Sequence, residues 1–344
     1  MKRLKYLFVY TIPLTTFIAF HAKGIWTFLT LIVFFGVVPL LELLVPPDRE
    51  NMDKKIADDE KNQSIYDYIL YGTLPIQIGF LTYFLFIIDA TTFGSLEFFG
   101  RITAMGFMCG VIGINVGHEL GHRHNRWEQF LGELLLLTSL NTHFLPYHNA
   151  GHHKNVATPD DAATARKNEL LFTYWVRSHF GSYVEAWKLE NDRLKGENRH
   201  WFSLNNRMVS YTFANIFLLT IIYLVFGLQV IIAFLCAATF GILLLETVNY
   251  IEHYGLLRKK KENGRYEAVR HHHSWNSDHP IGRTLLFNLS RHSDHHYNGS
   301  KKYQILKSHE KSPQMPTGYP GMMILAILQP LWFWVMNKRL ERHQ

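Results

Sequence analysis

Cysteine is nearly absent from this chain: Cys109 and Cys236 are the two in 344 residues, and both fall inside apolar runs. Two thiols so far apart in sequence do not suggest a thiolate metal site; they read as small packing residues, and any iron–sulfur electron carrier must be another chain. Charge is also sparse, at 18% of residues, although the mean hydropathy of −0.04 resembles that of an ordinary soluble protein. A third absence lies near the start. "MKRLK" and the apolar residues after it look like a secretory leader, but "IAFHAKG" offers no small-x-small cleavage site and a second apolar run follows almost at once. The segment therefore reads as a retained helix.

The apolar residues are gathered into runs near 5–21, 25–45, 67–89, 96–117, 208–226 and 228–250, each about 17 to 23 residues long. At ~1.5 Å per residue such helices cover the ~30 Å of a bilayer core. Buried core helices of a soluble protein are the competing reading, and six near-span-length runs in one chain tell against it. Basic residues are then missing from one side: of 35 Lys and Arg, only Lys23 and Arg101 fall where the alternation of spans places the outer face. The other 33 mark the cytoplasm. The sequence thus predicts an all-α membrane protein, a six-helix transmembrane bundle forming one integral-membrane domain over 1–344. Its histidine-rich helical cap comprises the cytoplasmic parts 118–207 and 251–344, and the protein is expected in the cell's inner (plasma) membrane with both termini in the cytoplasm. The net charge of +7 requires no nucleic acid; anionic lipid or an acidic protein partner accounts for it.

Of 20 histidines, only His21 precedes the fourth span. Four clusters follow: "HELGH" (His118, His122), "HNAGHH" (His148, His152, His153), "NYIEHYG" (His253) and "RHSDHH" (His292, His295, His296). On a helix the i, i+4 pairs 118/122 and 148/152, and the 292/295/296 set, would each offer a metal two nitrogens from one face. Groups sharing a site must lie on one side of the membrane. The even number of spans between clusters permits this, provided "WEQFLGELLLLTSLNTHFLPY" lies along or dips into the inner surface rather than crossing. "HELGH" also matches the H-E-x-x-H of zinc peptidases. A peptidase needs three ligands and a Glu base, and nine histidines in compatible spacings are too many for one tetrahedral zinc, so two metals is the smaller assumption. Imidazole alone does not name the metal. Candidate counter-charges are Glu119, Asp161, Glu246, Glu252 and Asp294; Glu246, inside a span, is hard to read as merely structural. His143, His179, His200, His309 and His343 stand alone and read as surface histidines, and His271–His273 divides evenly between a supporting role and a solvated loop.

At these residues the chain resembles the integral-membrane alkane monooxygenases, a branch of the membrane fatty-acid desaturase and hydroxylase superfamily. "HELGH", "HNxGHHxxVATPxD", "NYIEHYGL", "HSWNS" and "RHSDHH" stand in the family's order, from the fourth span to "GYPGMMILAILQPLW". The resemblance implies a non-haem di-iron centre held by His118, His122, His148, His152, His153, His253, His292, His295 and His296, with His273 and Asn276 in support. It implies hydroxylation of the terminal carbon of an alkane drawn from the lipid, using O2 and electrons from rubredoxin, rubredoxin reductase and NADH. One departure is Tyr147, where the family usually has Glu. Phe34 and Phe35, with Pro39 and Glu42 nearby, are expected along a substrate tunnel that limits chain length. Gly106/Gly110 and Gly113/Gly117 are expected at close helix contacts. A membrane desaturase or fatty-acyl hydroxylase, an alkyl-aromatic hydroxylase and a membrane metal transporter are the rival readings.

Overall fold

The computed structural model describes residues 3–343; the terminal residues 1, 2 and 344, which the single-domain assignment includes, lie outside it. Among the described residues all regular structure is helical, apart from isolated bridges joining Lys260 to Tyr266 and Asn276 to Gln314. Helix α1 is a tight 3-10 segment, Leu4–Tyr10, continuing as Thr11–His21. Among the described residues five helices are long and apolar enough to cross a membrane. They are α2 (Gly24–Leu44), α3 (Ser64–Asp89), α4 (Leu96–Gly121) and, after the short α5 (Arg126–Leu137) and the long polar α6 (Leu171–Gly196), α7 (Arg207–Phe226) and α8 (Leu228–His253). Towards the end of the chain the short helical segments include α9 (His292–Tyr297), α10 (Tyr319–Ile327) and α11 (Gln329–Leu340).

Local chemistry sets the helix ends. Ser95 caps α4 by accepting the Phe98 N–H at 3.1 Å, and Asn206 caps α7 by accepting that of Met208 at 3.0 Å. Gly227, at φ +79°, makes the single-residue turn between α7 and α8, a conformation a side chain would strain. Phe213, Ile216, Phe217, Leu224 and Val225 leave α7 with an exposed apolar face, which in water would be a liability and in a bilayer is required. On α6 the buried residues Tyr174, Ser178, Ser182, Ala186 and Glu190 form one stripe at four-residue spacing, so this helix packs on the bundle along that stripe.

Glycine contacts bring α4 against its neighbours as the sequence predicts. A Cβ on Gly106 would stand 2.5 Å from the Phe240 ring, and one on Gly241 of α8 would stand 2.8 Å from the Gly110 nitrogen. Further along, a Cβ on Gly113 would meet Ser139 at 2.1 Å, and one on Gly117 the Gly132 carbonyl at 3.1 Å. One pair therefore seats α4 on α8 and the other seats it on α5 and the turn after it. At 12 residues α5 is ~18 Å long, too short to cross a bilayer.

Candidate metal centre

Nine imidazoles converge at one end of the bundle. His118 is in the last turn of α4 with His122 just beyond it; His148, His152 and His153 follow α5; His253 ends α8; and His292, His295 and His296 lie on α9. They form two adjoining groups, each able to hold a metal ion: His118, His122, His148, His153 and His295, and His152, His253, His292 and His296. In the first group Nε2 atoms approach at 3.0 Å (118/122), 3.1 Å (118/295), 3.1 Å (122/148) and 3.0 Å (148/153). In the second the approaches are 3.2 Å (152/296) and 3.1 Å (253/292).

This partition departs from the spacing argument in two places. His148 pairs with His153, five residues on, while His152 joins the other group. The reason is that His148–His152 is a π-helical turn, in which i and i+5 lie over each other instead of i and i+4. On α9, His292 shares a group with His296 while His295 turns to the first group. A second π segment, Met108–Val116, runs directly into the first histidine box. No local residue pattern announces either segment.

The imidazoles suit cations. Burial, then the neighbouring imidazoles, hold His122, His148, His153, His292, His295 and His296 well below the ordinary histidine range, so they are neutral and able to ligate a metal. Ring nitrogens at these distances either share a cation or are joined by N–H···N hydrogen bonds. Two nitrogens ~2.1 Å from one ion are ~3.0 Å apart at a right angle and ~3.4 Å apart at the tetrahedral angle. The closest approaches in both groups, 3.0 to 3.2 Å, lie within the range that nitrogens sharing one ion adopt.

The proposed counter-charges have different placements. Asp161 Oδ2 lies 3.0 Å from His152 Nδ1, and Asp161 also accepts the Tyr147 and Thr164 hydroxyls at 2.6 Å each. Burial would raise this carboxyl, but His152 and the hydroxyl donors outweigh it and the acid is held below its usual range. Glu252 Oε1 stands 3.1 Å from His292 Nδ1 and accepts the Tyr319 hydroxyl at 2.6 Å. Glu119 instead pairs with Arg123 at 3.1 Å, and Arg123 reaches Asp67 at 3.3 Å, so the H-E-x-x-H glutamate serves an ion-pair network and not the metal groups. Asp294 binds Lys301, the Lys307 N–H and His309, and Glu246 lies beside Ser178 and Asn249. His273 Nδ1 accepts the Arg270 N–H at 2.9 Å, so the proton is on Nε2, 3.3 Å from Glu267. Asn276 turns to Asp278 and Gln314. His143 corrects the surface reading: it is buried against His179 and Tyr183, and burial pushes it down to about 3. The role of Tyr319 had no signal in the sequence; that of Tyr147 was marked only by its position before His148.

A cavity of about 760 Å³, counting its open side, runs from the bundle to this centre. Phe34, Phe35, Phe107 and Leu244 are in its apolar wall, and His118, His148, His292, Asn115, Asn249 and Glu252 are at its polar part. Pro39 and Glu42 are outside the lining; Glu42 accepts the Gly282 N–H at 2.7 Å.

Residues 97–325 match the fatty acid desaturase family model. The chain is 36% identical over 310 residues to alkane 1-monooxygenase 1 of Alcanivorax borkumensis, covering 90% of this chain and 76% of that protein. It is 37% identical over 320 residues to alkane 1-monooxygenase 1 of Pseudomonas aeruginosa, covering 92% and 84%. The chain belongs to the alkane 1-monooxygenase family. A more distant likeness, 24% identity over 354 residues covering 98% and 89%, is to the xylene/toluene monooxygenase hydroxylase component XylM of Pseudomonas putida. The family is one of oxidoreductases, which the histidine groups and membrane-length helices fit.

Proposed function

We propose that the chain is a non-haem di-iron membrane monooxygenase that hydroxylates the terminal carbon of medium-chain alkanes. The observation that carries this reading is a single apolar cavity with imidazoles of both histidine groups in its wall. One iron would be held by His118, His122, His148, His153 and His295, the other by His152, His253, His292 and His296. A bound, reduced iron pair supplies O2 activation and insertion of one oxygen atom into an unactivated C–H bond.

The chain's own residues supply position and selectivity. A hydrocarbon moving from lipid into an apolar cavity exchanges one apolar surrounding for another, so burial adds little affinity and chain length is selected by shape. Phe34, Phe35 and Phe107 supply that shape. The lining contains no Lys or Arg to hold a carboxylate head group, which favours a neutral hydrocarbon over a fatty acid. Asp161 holds His152 by its Nδ1 proton and leaves Nε2 free to ligate.

The membrane arrangement belongs to the same proposal. In it α1, 18 residues over Leu4–His21, is a sixth span of one integral domain. The histidine centre and both termini face the cytoplasm across the inner membrane, because 33 of 35 basic residues lie on that side. A monooxygenase needs O2 and two electrons, and the donor proposed is rubredoxin, reduced through its reductase by NADH. Purified protein reconstituted in lipid is expected to carry two irons per chain and to convert octane to 1-octanol when given rubredoxin, rubredoxin reductase and NADH. A single bound zinc, or two irons without alcohol formation from any alkane tried, sinks the reading.

A further inference from the structure

The two histidine groups differ in what stands behind their rings. In the four-imidazole group, His152 and His292 each present Nδ1 to a carboxylate, Asp161 at 3.0 Å and Glu252 at 3.1 Å. Each carboxylate is held from behind by a tyrosine hydroxyl at 2.6 Å, Tyr147 on Asp161 and Tyr319 on Glu252. All four are buried: Tyr147, Asp161, Glu252 and Tyr319 are 2%, 2%, 1% and 1% exposed. Among the described residues, no carboxylate oxygen lies within 4.0 Å of a ring nitrogen of His118, His122, His148, His153 or His295.

Two tyrosine–carboxylate pairs thus stand beside rings of one group and none beside the other; the Tyr147 pair is hydrogen-bonded through to His152, whereas Glu252 stands at ion-pair distance from His292 Nδ1 without hydrogen-bond geometry. The Tyr147 pair is the more complete. Its hydroxyl accepts the Ala163 N–H at 2.9 Å and therefore donates its own proton to Asp161 Oδ1, while Thr164 donates to Oδ2. With every donor pointed at it, Asp161 is left to accept from His152 Nδ1. A carboxylate fixed in this way orients the ring and makes its other nitrogen a stronger donor to a metal.

Resting on the di-iron reading above, we propose that Tyr147 and Tyr319 are positioning residues for one metal only, so that the four-imidazole site binds a cation electronically distinct from that at the five-imidazole site. Iron-57 Mössbauer spectra of the two-iron protein test this. The wild type is expected to show two quadrupole doublets of equal area. Tyr147→Phe is expected to shift one and leave the other, and Tyr319→Phe to shift the same one. Asp161→Asn should act on that doublet too and weaken one of the two irons by about 10–100-fold. Tyr174→Phe is the structural control, since its hydroxyl is equally buried and donates to the Ala163 carbonyl at 2.8 Å. It should leave both doublets in place. A wild type with two irons and a single doublet, tyrosine variants with unchanged spectra, or a Tyr174→Phe shift equal to that of Tyr147→Phe overturns the inference while leaving the di-iron reading intact. A wild type with one metal overturns both. If Asp161→Asn does not fold, the tyrosine variants, which remove one oxygen each, decide the matter.

Discussion

Replacing Phe34 by Ala tests the link between cavity shape and substrate choice. Phe34 is 3% exposed, lines the cavity, and stands 5.9 Å from the Phe107 ring, so its removal opens the apolar wall away from the imidazoles. If the proposed function holds, the wild-type wall should reject an over-long alkane by overpacking, at about 1–3 kcal/mol for the displaced groups. By RT ln K that is roughly 5- to 150-fold in kcat/KM, so the ratio of long to short substrates should rise by that factor in Phe34→Ala. The change should be in the ratio and not in iron content, since no imidazole is touched. The assay is competition between alkanes of graded length in one reconstituted preparation, with the alcohols separated by chromatography. Loss of the ring also costs about 3–5 kcal/mol of packing, which makes measurement at low temperature prudent. An unchanged length profile in a variant that binds two irons would refute the cavity as the substrate site.

Other expectations follow from particular contacts. Glu119→Gln should keep its metal and its oxygenation but lose about 1–3 kcal/mol of stability, because Arg123 retains Asp67 as partner; abolished turnover at full iron content would restore a catalytic glutamate. Gly241→Val should disrupt the α4–α8 contact, since even its Cβ meets Cys109 at 2.7 Å and the Gly110 backbone at 2.8 Å. Gly36→Ala, with nothing within 4 Å, should be silent, and equal iron content in both variants would deny that this contact positions the first histidine box. For the metal-free protein, the neutral imidazoles set the sign of the pH dependence. Their folded-state values lie below 6.5, so the unfolded chain binds more protons below that pH and stability falls as pH drops through it. Each imidazole contributes up to ~1.4 kcal/mol per pH unit. Denaturation midpoints that stay level from pH 7.5 to 5 would contradict this.

The helical class and the nine histidines were legible in the sequence, because span-length apolar runs and histidine boxes are local patterns. Gly106, Gly110, Gly113 and Gly117 also carried their packing role on their face, since a residue without a side chain at such spacing has few other uses in an apolar helix. The division of the nine rings was not legible. Spacing alone joined His148 to His152, and only the π turn at His148–His152 gave His148 to His153 instead. Nor could H-E-x-x-H tell whether Glu119 faces a metal, because its partners Arg123 and Asp67 come together only when α3 and α4 pack. The same holds for Tyr319, 67 residues from the Glu252 it binds. Periodicity along the chain decides which residues share a helix face, whereas second partners of ring nitrogens and carboxylates are set by the angle and depth at which separate helices meet, and that information exists only in three dimensions.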